Sequence, residues 1–192
     1  MMPADSNFAD QALPVNQQVT PQELFAEYRY KNTVLVDAGW IGISNSPWLT
    51  YYQNTALSLV TYQGIMTNIH PGNGWLLTAF VINEAQRIGQ EGFSEQTQYN
   101  YNPVCNTFTA TPNVGNNGSP ATASLGVSYS TPNDLFDFRV WEYQFYNYAD
   151  MLYGDSNVKL NANKDTYFTI GVQALAERPN GNNVLNGAGY GT

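Results

Sequence analysis

Apolar and polar residues alternate along this chain in segments of about ten residues, the period of strands whose two faces meet different surroundings. The clearest segment puts Ala121, Ala123, Leu125, Val127 and Tyr129 on one parity and Thr122, Ser124, Gly126 and Ser128 on the other. Leu24, Ala26, Tyr28 and Tyr30 likewise oppose Phe25, Glu27 and Arg29. After the polar pair Lys31-Asn32, Val34, Val36, Ala38 and Trp40 oppose Asp37 and Gly39, so these two runs read as a hairpin. Runs over 57–70 and 75–87 flank His70-Pro71-Gly72-Asn73-Gly74. Proline fixes one φ there and the Gly-Asn-Gly residues accept positive φ, which predicts a second, tight reversal. Further on, Val158 and Leu160 oppose Asp155, Asn157, Lys159 and Asn161. Phe168, Ile170, Val172, Ala174 and Ala176 then oppose Tyr167, Thr169, Gly171, Gln173 and Glu177. From Asp134 to Tyr148 the apolar parity changes at Val140-Trp141, which predicts a bulge or a change of register.

The pattern is all-β: an antiparallel up-and-down meander of about eight strands spanning 21–178. Residues 1–20 read as a loop or mobile segment and 179–192 as a loop-like end. The stretch 42–56 is irregular but aromatic and reads as a packed loop. Residues 88–120 have no period and read as a long loop, one that would form a constriction if it folded inward. Short turns and long loops are expected to alternate along the meander.

Composition changes what such a sheet is expected to face. Charged residues are 11% and aromatics 14% of the chain, against about 25% charged in an ordinary soluble domain. The surface is therefore covered by Asn, Gln, Ser and Thr, or else part of it does not face water. Mean hydropathy is −0.35, yet a membrane barrel leaves only a weak hydropathy signal because its lipid-facing residues alternate with lumen-facing ones. No apolar run approaches the roughly 20 residues of a membrane-spanning helix, and the first 18 residues carry neither a basic nor an apolar leader region. Trp40, Trp75, Trp141, Tyr28, Tyr129 and Tyr148 fall where interfacial girdles would sit. A net charge of −8 disfavours nucleic acid as a partner. From the pattern alone, a transmembrane barrel and a soluble β-sandwich binding carbohydrate through its aromatic side chains both stay open.

One stretch separates them by likeness. Val36-Asp37-Ala38-Gly39, the loop at Pro47, Leu59-Val60-Thr61-Tyr62-Gln63-Gly64-Ile65 and Trp75-Leu76-Leu77-Thr78-Ala79 resemble the OprD-type outer-membrane porins, across 21–180 loosely. The resemblance implies a segment of an outer-membrane barrel, passing small hydrophilic solutes with no cofactor and no chemical step, in contact with outer-membrane lipid. It leaves homo-oligomerisation open. Those porins are longer, and the chain is expected to be an internal or truncated portion. Their arginine-rich lumen ladder has no evident counterpart, since arginine occurs only at 29, 87, 139 and 178.

By parity, the pore-lining candidates are Glu27, Arg29, Asp37, Asp155, Lys159 and Glu177, and their acidic excess predicts weak cation selectivity. No metal or catalytic site is expected. The single Cys105 and single His70 rule out a Cys- or His-based metal cluster. His70 reads as a turn residue, and Cys105 as a passive thiol. Asp137 and Glu142 have opposite parity on a straight strand, so they serve as an acid and base pair only if the bulge is real. Gly187-Ala188-Gly189-Tyr190-Gly191 lacks the strand and helix that a dinucleotide loop needs.

Overall fold

The alternating segments are strands, joined edge to edge in chain order. The computed structural model describes residues 23–49, 60–86, 93, 101–102, 107–108, 121–146, 149–163 and 166–180. The strands are β1 (Leu24–Tyr30), β2 (Val34–Ile41), β3 (Thr61–Gly72), β4 (Trp75–Gln86), β5 (Tyr101–Asn102), β6 (Thr107–Phe108), β7 (Thr122–Ser130), β8 (Phe136–Phe145), β9 (Ala149–Asn161) and β10 (Tyr167–Pro179). Eight of them form one sheet in the order β1-β2-β3-β4-β7-β8-β9-β10, every neighbour antiparallel, while β5 and β6 pair only with each other. This is the expected meander.

Turn chemistry sets the hairpins. Gly72, Asn73 and Gly74 all take positive φ, as the reversal after Pro71 requires, and Lys31 takes positive φ at the first turn. The turns β1–β2, β3–β4, β7–β8 and β9–β10 lie at one rim, and the longer connections β2–β3 and β4–β7 lie at the other. The alternation of short and long is incomplete, because β8 and β9 are joined at the long-loop rim by residues 146–148 alone.

The expected bulge at Val140-Trp141 is absent. Strand β8 keeps unbroken register with both β7 and β9. Two irregularities lie instead between β3 and β4: Gln63 pairs with Glu84 but Gly64 with Ile82, and Ile69 pairs with Leu77 but Gly72 with Trp75. The parity change on β8 has a different cause: its inner residues turn apolar at Trp141, Tyr143 and Phe145 because a loop packs on them.

That loop is residues 42–49. It leaves β2 and crosses the inner face, burying Ile43 and Leu49 completely against Tyr62, Phe80, Ile82, Trp141 and Tyr143. Ser46 Oγ and the Tyr143 hydroxyl lie 2.7 Å apart, and Trp48 meets Tyr153 edge to face. Asn45 Nδ2 donates to Asn68 Oδ1 (2.9 Å) and Thr78 Oγ1 (2.7 Å), and Thr78 donates in turn to Asn68. The packed-loop reading holds for these residues, and 50–56 lie outside the described residues. Of the long loop 88–120, Phe93 rests on Trp40 with ring centroids 4.9 Å apart. Apart from Phe93 and the β5–β6 pair, that loop also lies outside the described residues, as do Cys105, Tyr148 and the glycines from 187 to 191.

The two rims differ. Tyr30, the last residue of β1, leads by successive pairing through Val34, Ile69, Leu77, Val127, Val140 and Gly154 to Ala174, seven residues past the start of β10, whereas Phe25 leads through Gly39, Gly64, Ile82, Thr122, Phe145 and Ala149 to Pro179, the last residue of β10. The sheet is therefore level at the long-loop rim and extends further at the short-turn rim as its strands lengthen toward β10. Both outermost strands, seven residues long in β1 and thirteen in β10, pair on one side only.

Candidate functional site

Antiparallel register sorts every strand residue to one of two faces, and the two faces differ in kind. The outer face carries Leu24, Tyr28, Ile65, Val81, Leu125, Val140, Leu152 and Val172, all at least 45% exposed. A water-facing surface would not be built this way. Toward the short-turn rim this face gathers rings: Trp75 lies 4.9 Å from Tyr129 and 5.7 Å from Phe138, and Phe136 adjoins both Tyr129 and Phe138. Trp75, Tyr129, Tyr28 and Trp40 are outer residues as expected, whereas Trp141 is an inner, fully buried one and belongs to no girdle. Its burial follows from the loop described above.

The inner face has two halves. Toward the long-loop rim it is apolar and covered by residues 42–49. Toward the short-turn rim it is polar, and an open cleft of about 520 Å³ at that rim is bordered by inner His70, Ser128, Ser130, Asp137 and Arg139 and by outer Trp75, Tyr129 and Phe138.

All six sequence-selected residues lie on the inner parity, three of them together and three apart. Glu27 pairs in register with Asp37, and Arg29 Nη2 reaches Glu27 Oε1 at 3.2 Å, so three of the six form one group on β1 and β2. Asp37 is 8% exposed, and its Oδ1 has no hydrogen-bond partner among the described residues. Asp155 belongs to a second group across β8 and β9. Arg139 Nε donates to Asp155 Oδ1 at 3.0 Å and to Oδ2 at 3.1 Å, Arg139 Nη2 also donates to Oδ2, and the Tyr153 hydroxyl donates to Oδ2 at 2.7 Å. A bidentate guanidinium–carboxylate pair fixes both side chains, because both donors must stay in one plane. Lys159 sits nearer the turn, with its ammonium 4.3 Å from the Tyr167 ring centre. Glu177 is in line with Met151 near the opposite rim.

Arg139 and Asp137 complete the second group, and Asn157 Nδ2 donates to Asp137 Oδ2 at 2.9 Å. The supposed bulge at 140–141 hid the facing of both residues; unbroken parity back from Trp141 would have placed them. Asp137 is inner and Glu142 outer, so they face no common cleft. Among the described residues no group of three or more His, Cys, Asp and Glu is placed to hold a metal ion.

The arrangement is an antiparallel wall, apolar on one face and partly polar on the other, and solved structures share its fold. Matches include OpdK of Pseudomonas aeruginosa with vanillate (15% identity, TM-score 0.67, 82% of this chain and 37% of that chain), OccD3 (OpdP) of the same organism (16%, 0.68, 84% and 36%) and OpdQ (14%, 0.66, 82% and 39%). These are OprD/Occ porins. The sheet has the fold of a porin wall. The chain spans between a third and two fifths of the length of these structures. No protein-family model matches it, and no curated protein does.

Proposed function

We propose that the chain forms a segment of a β-barrel wall in the bacterial outer membrane, whose outer face contacts lipid and whose inner face borders a passage for small hydrophilic solutes. The observation that carries this reading is the exposed apolar face on an antiparallel meander whose inner face is partly polar. A β-sandwich would bury that face against a second sheet, and among the described residues none covers it. Glu27, Arg29, Asp37, Asp155, Lys159 and Glu177 then line the passage, joined by Asp137 and Arg139. Permeation involves no chemical step and no cofactor. The reading is tested by the need for detergent: expressed alone, the chain is expected to stay insoluble or associated in plain buffer. A monomeric, cooperatively folded chain in buffer would reject it.

Charge sets the sign of selectivity. The inner carboxylates Glu27, Asp37, Asp137, Asp155 and Glu177 outnumber Arg29, Arg139 and Lys159, and Arg139 is bound to Asp155. Fixed charges act across about 8 Å of electrolyte at physiological salt, comparable with a narrow lumen. The complete barrel in a planar bilayer under a salt gradient is expected to show a weakly cation-selective reversal potential. Asp155→Asn removes one negative charge and unmasks Arg139, and Glu27→Gln does the same beside Arg29, so each should move the reversal potential toward anions. An anion-selective parent, or a reversal potential unchanged in both variants, would refute the assignment.

A further inference from the structure

Three rings lie along the inner side of β8. Trp141 and Tyr143 have centroids 5.8 Å apart with planes 17° apart, and Tyr143 and Phe145 have centroids 6.0 Å apart with planes 7° apart. Their partners in register on β7 are small: Gly126, Ser124 and Thr122. A Cβ built on Gly126 would stand 2.4 Å from both Cδ2 and Cε2 of the indole, the bond in the middle of that ring system. The indole therefore lies with its face on the bare backbone of Gly126, and the nearly parallel rings of Tyr143 and Phe145 lie down with it. The result is a flat aromatic track on the inner wall.

The 42–49 loop covers this track poorly in polar terms. Among the described residues the indole N–H groups of Trp48 and Trp141 and the Asn45 carbonyl oxygen are buried without a hydrogen-bond partner. Trp141 is 0% exposed. Buried donors and acceptors left unpaired destabilise the covered state. Neither residues 42–49 nor the three rings and their β7 partners include a charged side chain, so a charged occupant would lose its hydration without compensation from them. A neutral ring bearing hydroxyls fits both demands, since its C–H face lies on the aromatic faces and its rim can pair with the stranded N–H and C=O groups.

We infer that Trp141, Tyr143 and Phe145 form a stacking subsite for neutral polyhydroxylated ring solutes of the sugar class, and that residues 42–49 are its displaceable cover, latched by Ser46 on the Tyr143 hydroxyl. This rests on the porin reading, and the experiment separates the two. Maltotriose is added to the complete barrel conducting in a planar bilayer, with glycerol as the hydroxylated solute that has no ring. Maltotriose reduces the ionic current with saturation at millimolar concentration, whereas glycerol acts only in proportion to bulk conductivity. Trp141→Phe, which keeps a ring but removes the N–H, weakens the block about fivefold, the loss of one ordinary hydrogen bond. Ser46→Ala loosens the cover and strengthens the block. A conducting barrel blocked no better by maltotriose than by glycerol overturns the inference, as does an unchanged block in Trp141→Phe or a weaker one in Ser46→Ala. A protein that never conducts rejects the porin reading instead. The subsite is then decided by whether maltotriose saturably changes tryptophan fluorescence of the detergent-folded protein and loses that effect in Trp141→Phe.

Discussion

Arginine at Val172 is expected to destabilise the barrel in lipid, by about 2–4 kcal/mol where that site lies near the bilayer midplane, whereas arginine one residue later, at Gln173, is expected to be tolerated. Val172 is the middle residue of the outer series Phe168, Ile170, Val172, Ala174 and Ala176, and it is 69% exposed. At that position a guanidinium must be held in hydrocarbon or drawn toward the headgroups, and either distorts the wall. Gln173 points the other way and is in register with Asp155. An arginine there meets water and a carboxylate, and it alters conductance rather than folding. Denaturant unfolding of the complete barrel in lipid vesicles measures both variants. Equal losses at the two positions would show that the faces are wrongly assigned.

The second large effect is expected at Trp141. Trp141→Ala should cost about 3–5 kcal/mol in the same assay, because a large side chain is removed from a site that cannot close over the space. The wall beneath is backbone at Gly126, the neighbour along the strand is Tyr143, and the loop above is tied by Asn45 and Ser46 to opposite parts of the sheet. None of these can move in without losing another contact. Gly126→Ala presses on the same indole from below and should cost about 1–3 kcal/mol by overpacking. A loss below 1 kcal/mol for Trp141→Ala would mean that the 42–49 loop is not seated on the wall.

Much of the fold was legible because a sheet with unlike faces writes its period into the chain. Ala121 to Tyr129 and Phe168 to Ala176 show their facing residue by residue, and Pro71-Gly72-Asn73-Gly74 shows its turn through the φ values it needs. Strand β8 is the exception, for a physical reason. Parity identifies which residues share a face but not what covers that face, and a loop from far away in sequence makes part of the inner side of β8 apolar. The parity change that results has the same pattern as a bulge, and it conceals that Arg139 and Asp137 share the inner face. The Asn45–Asn68–Thr78 contacts join a loop to two strands. No local pattern marks such a cluster.

The even number of strands in the sheet has a consequence for how such walls change size. Seven successive antiparallel pairings leave β1 and β10 running in opposite directions. A block of this kind can be spliced into a closed ring, or cut from it, without inverting any remaining strand or sending a loop to the other side of the membrane. Circumference can then grow in hairpin steps of about 10 Å, twice the spacing of neighbouring strands, while the height of the wall stays matched to the bilayer.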